Sequence, residues 1–107
     1  MKFLRILRPT EVYYSLPAEK KAELSAGAFA FADKYLKSGK LKDFYFMSDM
    51  KGGFAIWDVA SNEELLRLAM EYPMTPYTVF ETYPVVDYDA MAKMRQEMAA
   101  AQKAAKK

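Results

Sequence analysis

Residues 41–59 read LKDFYFMSDMKGGFAIWDV. Two runs rich in aromatic and branched residues, LKDFYFMSDM (41–50) and GFAIWDV (53–59), stand on either side of Lys51-Gly52, and a glycine-bearing turn between such runs predicts a β-hairpin. Alternation sets Leu41, Asp43, Tyr45, Met47 and Asp49 on one side of the first strand, with Phe44 and Phe46 on the other. Apolar residues occur on both sides, as in a strand covered on both faces. The hairpin decides the fold because a helical pattern lies immediately before it and another immediately after it.

On the N-terminal side, SLPAEKKAELSAGAFAFADKYLKSGK (15–40) predicts a helix with Ser15 as N-cap, Pro17 in the first turn and Gly39 as the stop. Leu24, Ala28, Phe31 and Tyr35 make one stripe on it, widened by Phe29, Ala32 and Leu36. Gly27 inside that helix points to a close approach of the helix to the sheet. Before it, KFLRILR (2–8) has strand length and is stopped by Pro9. On the C-terminal side, Ser61 with Glu64 is a capping box opening the helix SNEELLRLAMEY, whose buried stripe is Leu65, Leu68, Ala69 and Tyr72 and which Pro73 ends. YTVFETYPVV (77–86) is the last strand. The order β-α-β-β-α-β predicts a ferredoxin-like α+β unit over residues 1–86.

Residues 87–107, DYDAMAKMRQEMAAAQKAAKK, predict a helical tail capped by Asp87 or Asp89 and fraying at its alanine- and lysine-rich end. Met91, Met94, Met98 and Ala101 lie along one side of it, a packing surface suited to a subunit contact. The tail holds five cations against three acids and so carries the whole net charge of +2.

Composition removes several classes of chemistry. The 107 residues contain no cysteine and no histidine, which excludes disulfides, thiolate sites, a cysteine nucleophile and the usual base near neutral pH. No metal site and no cofactor are expected. The folded body lacks a basic face, and Lys34, Lys37, Lys40 and Lys42 near a helix end suit the helix dipole, so neither nucleic acid nor membrane is expected as a partner. The short apolar run MKFLRILRPT is interrupted by Arg5 and Arg8 and does not make a signal core, which sets the expected home in the cytoplasm.

A ferredoxin-like unit lays both helices on one face of its sheet, and the expected strand order is 4-1-3-2. Here both sets of alternating positions are apolar, leaving a bare greasy face on a single copy. The expected solution is a homodimer whose two sheets enclose a shared cavity. In that order the first and last strands are antiparallel neighbours, so Arg5 and Glu81 are expected near one another on one face, as an ion pair or as cavity-lining groups.

From Gly39 to Val86 the sequence resembles the muconolactone isomerase family of dimeric α/β barrels. The residues that carry the resemblance are Gly39-Lys40, Phe54, Asp58-Val59, Ser61, Glu63, Glu64 and Leu65, then Pro73, Pro76-Tyr77, Glu81 and Pro84. The resemblance implies cofactor-free transfer of a carbonyl-activated proton on an unsaturated lactone, with a base and with donors for the enolate oxygen. The acid that the isomerases carry on their first helix falls here at Ala28, and their basic residues on the second strand fall at Asp43 and Phe46. The candidates left are Glu81 as proton carrier and Arg5 as anion holder, with Tyr45, Trp57, Tyr77 and Asp49 as substrate contacts. The ligand implied is a small apolar or aromatic acid or lactone. The alternatives are a non-catalytic binding or assembly protein of the same fold, or a cofactor-free monooxygenase or cyclase-like enzyme.

Overall fold

The computed structural model describes residues 1–105. Strand β1 (Lys2–Pro9) is followed by a short helix α1 (Glu11–Tyr14), helix α2 (Ala18–Ser38) and the hairpin β2 (Leu41–Phe46) and β3 (Gly53–Asp58). Helix α3 (Asn62–Glu71), a 3-10 turn at Thr75–Tyr77, strand β4 (Thr78–Val85) and helix α4 (Tyr88–Ala105) complete the chain. The sheet order is β2-β3-β1-β4, with every neighbouring pair antiparallel, which is the ferredoxin-like arrangement expected.

Local chemistry accounts for most boundaries. Ser61 Oγ accepts from the Glu64 backbone N–H at 3.2 Å, and the Glu64 carboxylate accepts from the Ala60 N–H at 3.2 Å, so the predicted cap forms, reaching one residue further back than the usual box. Gly39 closes α2 with φ 82°, and Pro73 stands just past the C-cap Tyr72 of α3. Pro84 lies inside β4 rather than ending it. A strand at the sheet's edge has an N–H row that needs no partner, so proline is tolerated there.

Three expectations are corrected. Ser15 is not the N-cap of the long helix but closes the extra turn α1, and α2 begins after Pro17, because the residue before a proline is driven out of helical geometry. Gly27 makes its close approach to Pro73 at the end of α3, not to the sheet: a Cβ there would stand 3.1 Å from the proline ring. Strand β2 stops at Phe46, so Met47 and Asp49 fall in the turn, and a β-bulge between Leu41 and Asp43 breaks the simple alternation. Leu41, Phe44 and Phe46 therefore share the helix side, while Asp43 and Tyr45 point the other way.

The core lies between sheet and helices. Phe31 of α2 is its hub, with ring centroids 4.9 Å from Tyr35, 5.9 Å from Trp57 and 5.1 Å from Tyr72. Phe3, Leu7, Leu41, Leu65 and Leu68 fill in around it. On the opposite face Leu4, Ile6, Phe54 and Ile56 are only half-buried and Tyr45, Val79 and Tyr83 are exposed. The tail does not cover that face, since no residue of α4 is buried. Lys106 and Lys107, and with them the expected fraying of the end, lie outside the described residues.

Candidate functional site

In β1 the period of two sends Phe3, Arg5 and Leu7 toward the helices. Phe3 and Leu7 are buried there, so Arg5 carries a guanidinium into an apolar layer. Its Nε donates to Thr82 Oγ1 on β4 at 3.0 Å, one terminal nitrogen donates to the Leu65 carbonyl of α3 at 3.5 Å, and the group stacks 5.0 Å over the Phe80 ring. Among the described residues no carboxylate is within ion-pair distance of Arg5. Burial alone pushes the guanidinium pKa below its ordinary value. An arginine remains charged under such a shift, so the pocket holds a partly desolvated cation with no counter-anion.

Around Arg5, the side chains of Phe44, Trp57, Leu68, Tyr72 and Phe80 line an apolar pocket between sheet and helices. Its volume is about 10 Å³, space for a single water, so a ring-sized ligand needs the aromatic walls to part. Tyr72 brings a hydroxyl to the lining. Burial, with a smaller contribution from Tyr13, pushes its pKa up to about 12, so the hydroxyl keeps its proton at any physiological pH and acts as a donor. A fixed cation and a neutral donor in an apolar slot suit a carboxylate, phenolate or enolate oxygen. The lining contains no carboxylate that can serve as a base.

The sequence candidates are dispersed. Trp57 lines this pocket and is buried in the core. Glu81 is not beside Arg5, and the expectation of one shared face fails. The register pairs Arg5 with Thr82 and Ile6 with Glu81, and one step along a strand reverses the face. Glu81 lies on the open side of the sheet, ion-paired with Arg8 and accepting from the Tyr83 hydroxyl at 3.0 Å. Tyr45 shares that open side, stacked 5.0 Å from Phe54. Tyr77 sits in the 3-10 turn rather than on the strand, where its carbonyl accepts from the Thr10 N–H at 2.8 Å. Asp49 is exposed in the hairpin turn and accepts from the Lys51 N–H at 2.9 Å.

The sequence reading missed Tyr72 and Phe80 as site residues. Tyr72 was visible as the last member of the α3 stripe, one turn after Leu68, and the only member with a hydroxyl. Phe80 shares the Thr82 side of β4 and becomes a wall only once the register with Leu7 is known.

Among the described residues no group of three or more acidic side chains is placed to hold a metal ion, and no helix is long and apolar enough to cross a membrane. Two lysines of the cluster considered for nucleic acid are paired internally, Lys34 with Glu71 at 2.9 Å and Lys40 with Glu64 at 2.7 Å.

With this geometry established, comparison with known proteins gives three findings. A family model described as muconolactone delta-isomerase matches residues 1–91. No curated protein sequence matches the chain. Among solved structures, a muconolactone isomerase superposes with a TM-score of 0.69 at 21% identity, covering 82% of this chain and 91% of that one. A 5-chloro-2-hydroxyhydroquinone dehydrochlorinase from Burkholderia phenoliruptrix AC1100, in complex with 2,5-dihydroxybenzoquinone, superposes with a TM-score of 0.56 at 18% identity, covering 80% of this chain and 96% of that one. At these identities the two structures support the fold.

Proposed function

The chain belongs to the muconolactone delta-isomerase family, and from that premise we propose that it binds a small unsaturated ring bearing a negative charge, a lactone acid or a hydroxyquinone anion, in the pocket between sheet and helices. The observation that carries this is Arg5, a half-buried guanidinium held by Thr82 and Leu65 with no anionic partner among the described residues. A charge is costly in an apolar layer unless something offsets it, and a bound carboxylate or enolate does so. Arg5 takes the anionic oxygen, Tyr72 donates to a carbonyl or enolate oxygen, and Phe80 and Trp57 wall the ring. In turnover of the isomerase kind Arg5 and Tyr72 hold the enolate charge while a solvent water takes the proton from one ring carbon and returns it to the other. The lining supplies no carboxylate to accept it, and no cofactor takes part.

In this reading Glu81 does not share the pocket. With Arg8 and Tyr83 it lies toward the β4 edge of the apolar sheet face, which a second copy of the chain covers. A cysteine-free protein of this kind needs no oxidising compartment and works in the cytoplasm.

A second reading, a binding protein of the same fold without turnover, is favoured by one observation: the pocket lining offers no carboxylate base. The two separate in deuterated water. An isomerase incorporates deuterium at the γ carbon of an unsaturated lactone acid, Arg5→Met abolishes incorporation, and Arg5→Lys restores part of it. Saturable binding without incorporation in wild type establishes the binding protein, and no binding of any lactone or hydroxyquinone acid contradicts both.

A further inference from the structure

Three groups hold the Arg5 guanidinium, and they hold it unequally. Its Nε donates to Thr82 Oγ1 at 3.0 Å, an ordinary hydrogen-bond length, whereas a terminal nitrogen stands 3.5 Å from the Leu65 carbonyl, at the limit for such a bond. The Phe80 ring, 5.0 Å away, sets the height of the cation over its face but not the rotation of the guanidinium in its own plane. Direction comes from Thr82.

Arg5 and Thr82 are direct partners across the antiparallel β1–β4 pair, so their side chains leave the sheet together on the helix side. The same side carries Phe3 opposite Pro84 and Leu7 opposite Phe80. Phe3 and Leu7 are buried and Phe80 is half-buried, while Thr82 and Pro84 are exposed. Thr82 thus stands where the packed layer meets solvent, and water can satisfy Nε in its absence. The contact fixes geometry and adds little stability. That geometry decides how an anion is met. A guanidinium receives a carboxylate side-on, through Nε and one terminal nitrogen, or end-on, through both terminal nitrogens. With the Nε–H given to Thr82 the side-on edge is closed, and the end-on edge stays open because the long Leu65 contact is easily exchanged.

Building on the pocket between sheet and helices as the ligand site, we propose that Thr82 is a positioning residue for Arg5, holding Nε so that the ligand's anionic group is received end-on by the two terminal nitrogens. Thr82 acts through Arg5 and not on the ligand itself. Arg5 supplies the charge; Thr82 supplies the angle at which that charge is presented.

The test uses the full-length protein and a butenolide acetic acid, an unsaturated lactone carrying a carboxylate, in calorimetric titration. Thr82→Val keeps the branched shape and removes the acceptor, and is expected to weaken binding at least about tenfold with an unchanged urea midpoint. Thr82→Ser keeps the acceptor and should bind within about twofold of wild type. In the Arg5→Lys background there is no planar edge to orient, so adding Thr82→Val should change affinity by less than about twofold. A readout without ligand is exchange of the Arg5 Nε–H followed by NMR, which Thr82→Val should accelerate and Thr82→Ser should not. Equal affinity in wild type and Thr82→Val, with binding abolished by Arg5→Met, overturns this inference and leaves the pocket standing. So does a loss shared by Thr82→Ser or an equal loss in the Arg5→Lys background, since the threonine then acts by shape or on the ligand directly. Nε–H exchange unchanged by Thr82→Val overturns it whatever the ligand does, and a wild type that binds no lactone acid overturns both readings.

Discussion

At the scale of single residues, Arg5 sets function against stability. Its charge lies in an apolar layer with only two neutral acceptors, and replacing such a charge by an apolar side chain of similar length is neutral or stabilising. Arg5→Met is therefore expected to unfold at the same or higher urea concentration, a gain of up to about 2 kcal/mol, while losing ligand affinity. A structural arginine gives the reverse, a clear loss of stability. Tyr72 supplies a second prediction at this scale. Its pKa is raised to about 12 by burial, so the stability contributed by its neutral form is complete below the ordinary tyrosine pKa and is lost as pH rises toward 12. Wild type should lose about 2–3 kcal/mol across that window, and Tyr72→Phe should lack that part of the slope in alkaline urea titrations. An unchanged slope means that the hydroxyl is solvated and is not a pocket donor.

At the scale of elements, the hairpin and the α3 cap make the fold's local commitments. Gly52 has φ 136°, and a Cβ placed on it would lie 2.1 Å from the Leu7 carbonyl oxygen of β1. Gly52→Ala must shift backbone and is expected to cost at least about 2 kcal/mol, read from the chemical denaturation midpoint. Ser61→Ala removes one capping bond and should cost about 1 kcal/mol by the same measurement. Both features were legible in the sequence because glycine turns and Ser-x-x-Glu caps are local signals. The strand order followed from the element order, which has few alternatives. What stayed hidden was register. No local signal reveals the bulge at Lys42 or the pairing of Arg5 with Thr82, and a one-residue error in register exchanges the two faces of a strand. For that reason Arg5 was recognised as a candidate but given Glu81 as its companion, and Tyr72 was read as packing alone.

At the scale of the whole molecule, the apolar sheet face around Ile6 is left uncovered by a single copy. Wild type is expected to be a dimer at micromolar concentration in sedimentation, and Ile6→Lys to be monomeric. A wild-type monomer, or an Ile6→Lys variant that stays dimeric, contradicts the contact. Calorimetric titration with an unsaturated lactone acid or 2,5-dihydroxybenzoquinone tests directly whether the pocket between sheet and helices is the ligand site. Wild type and Glu81→Gln are predicted to bind the same ligand with similar affinity while Arg5→Met shows no measurable heat; retained binding in Arg5→Met, with binding lost in Glu81→Gln, would put the site on the opposite face of the sheet and contradict the account.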